Sequence, residues 1–217
     1  MPYKFNPHQH VKIWLSTKKD SFLNYENQLR LGAMRIKNPD DTIHLIYAQS
    51  LLSDQAHNEL FAYCNKHNIT PISMEIDIIP KCKTSKEQAL IKFYQAEIKN
   101  LKDGGGNPAS ASDILRWISP VYNRGTYTDF DVEVDTKNLP ETIDVESPLL
   151  LNLGSVSIPG AANVLSFNND VISIVDEKAA KEKVEKVQQS IIDAYSGTNN
   201  FSYNAYADAC IAELKTI

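Results

Sequence analysis

The sequence predicts an α/β domain built on a mainly parallel sheet flanked by helices. Two observations carry that expectation. Short apolar runs of strand length alternate along the chain with longer segments of helical periodicity, and turn-forming clusters separate them. No internal repeat or low-complexity segment breaks the alternation, so the 217 residues read as one domain over 1–217.

The elements follow in order. Residues 11–16 (VKIWLS) form the first strand. A helix spans 22–36, with Phe22, Tyr25, Leu29, Ala33 and Ile36 at helical spacing, and Asn38-Pro39-Asp40-Asp41 stops it. Residues 42–47 (TIHLIY) give a second strand. A helix over about 53–67 takes Ser53 as its cap. Residues 69–78 read as extended, and 85–101 as an amphipathic helix with Leu90, Phe93, Ala96 (or Glu97) and Leu101 near one stripe. The Gly-rich run 103–108 is a loop. Ser110 or Ser112 starts the next helix, which ends near Asn123, and 125–131 is extended. Residues 148–152 and 164–174 are further strand candidates. The longest helix covers 177–195, with Asp176 as a cap and Val184, Val187, Ile191 and Tyr195 on one side.

Composition narrows the function. A net charge of −5 gives no sequence-independent attraction to phosphate backbones, so nucleic acid is excluded as the expected partner. No apolar run approaches the ~20 residues of a membrane span. The N-terminus, MPYKFNPHQH, has no apolar signal region, so His8 and His10 are expected in a polar, disordered tail. Cys64, Cys82 and Cys210 show neither metal-type spacing nor a disulfide framework, which fits a reducing, cytoplasmic compartment or export without a signal peptide. Lys81, Lys83 and Lys86 cluster at a turn and read as solvated surface, with acceptor docking as the alternative.

The chemistry concentrates in residues 109–131, ASASDILRWISPVYNRGTYTDFD. Asp113 and Arg116 are three apart and share a helix face. Asp129 and Asp131 are two apart in an extended run and would point the same way. Paired carboxylates at a strand end make half a site for a hard divalent cation, and a nearby guanidinium can clamp hydroxyls or phosphate oxygens. A metal-held nucleotide diphosphate needs that combination. Blander readings stand beside it. The alternation from Asp129 through Glu133 to Asp135 also fits an edge strand with an acidic solvent face. Asp113 and Arg116 could be a surface ion pair. Trp14 could be core, and Asn168-Asn169 a strand-end turn.

The pattern S-D-I-L-R followed by G-x-Y-x-D-x-D resembles the donor core of DXD-motif glycosyltransferases of the GT-A kind. In particular it resembles the large clostridial glucosylating toxins and related bacterial effector glycosyltransferases. VKIWLS, NYENQLRL, NPDDTIHLIYAQS and FNNDVISIVDEK resemble further segments of that family in the same order. The resemblance implies a GT-A-like nucleotide-sugar-binding fold and transfer of glucose or N-acetylglucosamine from a UDP-sugar to a protein acceptor, with retention of configuration. Trp14 would then stack on uracil, and Tyr127 would sit against the nucleoside. Asp113 and Arg116 would hold sugar hydroxyls. Asp129 would contact ribose, sugar and metal, and Asp131 would ligate Mn²⁺ or Mg²⁺. Asn168 would bond the sugar or its departing oxygen, with Phe167 and Asn169 shaping the pocket. Two departures stand out. Arg124 replaces one of two glycines usual before the motif. The family also continues past the position matching Ile217 into a closing segment with a further metal contact. A transferase of bacterial surface glycans and a truncated nucleotide-sugar-binding module without turnover are the alternatives.

Overall fold

A computed structural model describes residues 2–102, 107–156 and 164–197. Its strands are β1 (Tyr3–Phe5), β2 (Gln9–Trp14), β3 (Thr42–Tyr47), β4 (Thr70–Ser73), β5 (Thr126–Thr128), β6 (Ile143–Val145), β7 (Leu149–Val156) and β8 (Val164–Ile174). Its helices are α1 (Tyr25–Lys37), α2 (Asp54–Lys66), α3 (Ser85–Lys102), α4 (Pro108–Leu115), α5 (Ser119–Tyr122) and α6 (Glu177–Ser196). Six strands form one sheet in the order β4-β3-β2-β5-β8-β7. The β4-β3-β2-β5 part is parallel, and β8 and β7 join it antiparallel. The expected α/β class with a mainly parallel sheet flanked by helices is what the chain adopts.

The central strands are apolar because both faces are covered. Val11 and Ile13 of β2, with Leu15 just after it, face one core with Ile46, Ile72 and the inner sides of α3, α4 and α6. Ile43, Leu45 and Tyr47 of β3 face a second core with Leu31 and Met34 of α1 and Leu60 and Cys64 of α2. Trp14, Phe130 and Val134 are half-buried at the rim of this second core. Ser53 caps α2 and Asp176 caps α6 as expected, each accepting from the backbone N–H three residues on.

Four sequence expectations fail here. First, α1 turns a different stripe inward. Leu31, Met34 and Arg35 are buried, whereas Tyr25, Leu29 and Ile36 are 76%, 54% and 80% exposed. Phe22 and Leu23 are core, but they lie ahead of the Asn24 cap rather than in the helix, so counting from Phe22 set the wrong phase. Second, the N-terminus is ordered. β1 pairs antiparallel with β6. His8 Nδ1 and His10 Nε2 lie 2.8 and 2.6 Å from the two Asp41 carboxylate oxygens, and Thr136 donates to the same carboxylate at 2.6 Å. Third, β4 stops at Ser73, and residues 74–81 continue as helical turns. Fourth, α4 begins at Pro108 with Asn107 as its cap, ahead of Ser110, and a break before Pro120 divides it from α5. Among the described residues no helix is long and apolar enough to cross a membrane. Cys64 and Cys82 are buried free thiols, and Cys210 and the Phe167 side chain lie outside the described residues.

Candidate active site

The site forms where the end of α4 meets the carboxyl end of β5, beside β8. Neighbouring helices fix α4 and α5. Glu87 of α3 accepts from the Ser119 backbone N–H at 2.8 Å and its hydroxyl at 2.6 Å. Gln188 of α6 donates to the Trp117 carbonyl at 2.7 Å. Asp113 and Arg116 therefore point inward, not to solvent as a surface ion pair would. They form an ion pair of 2.9 Å between side chains only 2% and 6% exposed.

Arg116 is the hub. One arm of its guanidinium donates to the Asn169 carbonyl at 2.6 Å, and the other to Asp129 Oδ1 at 3.0 Å. The group lies over the Tyr127 ring, 4.1 Å from its centroid. The Tyr127 hydroxyl donates to the same Asp129 oxygen. Asn169 completes the circuit, donating from Nδ2 to Asp113 Oδ1 at 3.1 Å. Thus Asp113, Arg116, Tyr127, Asp129 and Asn169, spread over 57 positions of sequence, share one hydrogen-bonded junction.

Burial controls its electrostatics. Desolvation pushes the Asp113 carboxyl up to about 6 from 3.8; Arg116 opposes the rise and Asp129 adds to it. Burial also raises the Tyr127 phenol, so it stays a donor. Asp113 Oδ2 is buried with no hydrogen-bond partner among the described residues, which explains why burial dominates there. A carboxyl raised in the fold contributes stability that is full below 3.8 and is lost as pH rises through about 6. Asparagine has no such titration. Urea unfolding at about pH 4.5 and about pH 7.5 should therefore find Asp113→Asn closer to wild type, or better than it, at the higher pH. A stability difference that is equal at both would show that Asp113 does not titrate between them.

Asp131 is not where a strand would put it. β5 ends at Thr128, and Val132 N–H closes a turn onto the Asp129 carbonyl at 3.2 Å. The same-side argument for Asp129 and Asp131 and the edge-strand reading through Asp135 both fail, because there is no strand there. Asp129 N–H bonds the Asp170 carbonyl of β8 at 2.9 Å, and the backbone turns directly after it. Asp129 keeps a side chain 35% exposed, and Asp131 is exposed on the turn. Asp131 also lines a groove of about 370 Å³ with Ala33, Met34, Phe130 and Val134.

Trp14 ends β2 with its ring edge-on to Phe22 at 5.2 Å, half-buried, so it is core on one side and open on the other. Asn168 is exposed, next to Asn169 at a register irregularity of β8 against β7. A separate cavity of about 550 Å³ between α3, α5 and α6 contains none of the junction residues, and its buried carboxylate Glu87 is already hydrogen-bonded to Ser119.

Sequence reading missed Lys12. It lies on β2, 2% exposed, and donates to Thr128 Oγ1 at 2.6 Å and to the Asp129 carbonyl at 2.7 Å. The available signal was a lysine inside an otherwise apolar central strand, where a solvated side chain has no place to go.

A divalent cation is tested against this donor set. Among the described residues no cluster of three His, Cys, Asp or Glu side chains forms a ready-made metal site. Asp129 and Asp131 are close enough together for both to act on Lys12 electrostatically. Hard carboxylate oxygens at a partly exposed turn suit Mg²⁺ or Mn²⁺, provided the ligand supplies further oxygens.

Comparison with known proteins agrees with this architecture. The chain matches the "PaToxG Glycosyltransferase" structure over 99% of its own length and 70% of that chain, with a TM-score of 0.70 and 19% identity. It matches a "Structure of Transferase" over 98% of its length and 86% of that chain, with a TM-score of 0.56 and 12% identity. At such identities the likeness is one of fold. No curated protein matches the chain. The sequence profile described as Glycosyltransferase family 88 matches residues 1–216, nearly the whole sequence, and the chain belongs to that family of sugar-transferring enzymes.

Proposed function

We propose that the junction is the floor of a donor site for a UDP-sugar, from which a hexose, glucose or N-acetylglucosamine, passes to a protein acceptor with retained configuration. One observation carries the reading. A buried arginine holds Asp129 at the carboxyl end of β5, where open α/β sheets bind ligands, and leaves that carboxylate partly exposed. Breaking a sugar–diphosphate bond builds negative charge on the departing phosphate. A divalent cation bound there would supply Lewis-acid stabilisation of that charge. Asp129 and Asp131 would hold it. Arg116 orients the Asp129 carboxylate, and Asp113, too buried to reach solvent here, keeps Arg116 in place with Asn169. Trp14 offers its open ring face to the uracil, and Asn168 its exposed amide to the sugar side.

Calorimetric titration with UDP, with and without Mn²⁺, tests the site. Binding should strengthen at least about tenfold with Mn²⁺ in wild type, and Asp131→Ala should lose that gain. Incubation with UDP-glucose and UDP-N-acetylglucosamine should then release free sugar from one of them. Metal-dependent binding with no sugar released over a long incubation would reduce the site to a nucleotide-sugar-binding module. Equal metal dependence in Asp131→Ala would remove the turn from the site.

A further inference from the structure

The two faces of β5 are held by different cations. Tyr127 points to the face of α4, where Arg116 covers it. Thr128 points to the opposite face, where its hydroxyl accepts from Lys12. Asp129, the next residue, is gripped from both sides: its carboxylate by Arg116 and its carbonyl by Lys12. A buried ammonium is a poor choice for stability alone, since its desolvation exceeds what two neutral hydrogen bonds return. A leucine or methionine would fill the space without that cost. Lys12 is also set beneath the turn that carries Asp131, its ammonium 5.8 Å from the Phe130 ring centroid.

We propose that Lys12 is a positioning residue for the donor site, fixing the Asp129 carbonyl so that the turn presents Asp129 and Asp131 together to a cation-bound diphosphate. The inference rests on the donor-site reading above. Arg116 fixes where the Asp129 side chain points, and Lys12 fixes where the backbone bends after it. Without Lys12 the first carboxylate stays in place and the second loses its register.

The test compares Lys12→Met, Lys12→Arg and the double variant Lys12→Met/Thr128→Val by urea unfolding and by the Mn²⁺ concentration that half-saturates the enhancement of UDP binding. Lys12→Met removes the bond to the Thr128 hydroxyl and leaves the Asp129 carbonyl with the Val132 N–H alone, and adding Thr128→Val removes the stranded hydroxyl. The double variant should therefore regain stability over Lys12→Met yet still need at least about tenfold more Mn²⁺ than wild type. Lys12→Arg, which can still donate to the carbonyl, should stay within about threefold. If the double variant recovers stability and Mn²⁺ response together, Lys12 is only structural and the proposal fails. The double variant also provides the reading should Lys12→Met not fold. Asp131→Ala, run in parallel, separates the two claims. If it keeps the Mn²⁺ response, the donor-site reading fails and this inference falls with it. If it loses the response while the Lys12 variants keep theirs, the Lys12 role alone is overturned.

Discussion

Replacing Arg116 with methionine is expected to abolish sugar transfer and to destabilise the fold by about 3–5 kcal/mol, the usual result of removing one partner from a buried charge pair. The guanidinium joins Asp113, Asp129 and the Asn169 carbonyl, and it is nearly inaccessible to water. Methionine would fill much of the volume and leave Asp113 buried beside an apolar chain, with the Asp129 carboxylate left to the Tyr127 hydroxyl. The loss of transfer should reach about a hundredfold or more, since the charge that orients Asp129 is gone. Arg116→Lys keeps a charge but not the planar fork that reaches two acceptors, so it should recover stability better than rate. The double variant Asp113→Asn/Arg116→Met should be more stable than Arg116→Met, because the stranded carboxyl is removed with its partner. Urea unfolding and donor hydrolysis measure both quantities. An Arg116→Met protein with wild-type stability would mean that the junction is not a coupled unit.

Gly125→Ala should be nearly as damaging, for a reason of geometry rather than charge. Gly125 has φ +136°, and a Cβ there would come within 2.4 Å of the backbone C and O of Gln9. Backbone cannot swing aside as a side chain can. Gln9 begins β2 and Thr126 pairs with His10, so the clash would wedge apart the two central strands at the base of the site. A loss of upwards of about 3 kcal/mol is expected, with transfer falling in step with the folded fraction. Arg124→Gly is the contrast. Arg124 has no positive φ, so its position does not require glycine, and placing one there should change stability by no more than about 1 kcal/mol. Thermal unfolding of the two variants side by side decides it.

The sheet was legible in the sequence because β2 and β3 are covered on both faces and read as short, mainly apolar runs. The pairing of Asp113 with Arg116 was legible because helical spacing of three fixes their side. What spacing could not reveal was depth. The same spacing serves a surface ion pair, and only the packing of α3 and α6 around α4 buries this one. The extended run through Asp131 was misread because alternation of acidic and apolar residues continues past Asp129, where the backbone turns away from β8. The histidines near the start looked like a polar tail because Asp41, which binds them both, is more than thirty positions away. Asn169 rather than Asn168 meets Arg116 and Asp113, at a register irregularity of β8 that the sequence does not announce. Lys12 was visible as an oddity in an apolar strand, but its partner lies more than a hundred positions away.

The place of β2 in the sheet has a consequence for synthesis. One of its edges is occupied by β3, which emerges from the ribosome soon after it; the other waits for β5, whose Tyr127 pairs with Val11. Until then the nascent chain carries an open, apolar strand edge, the kind of surface that seeks other chains. The charge of Lys12 on that edge makes the half-made sheet less adhesive, so the residue that would serve the finished site also guards the unfinished one.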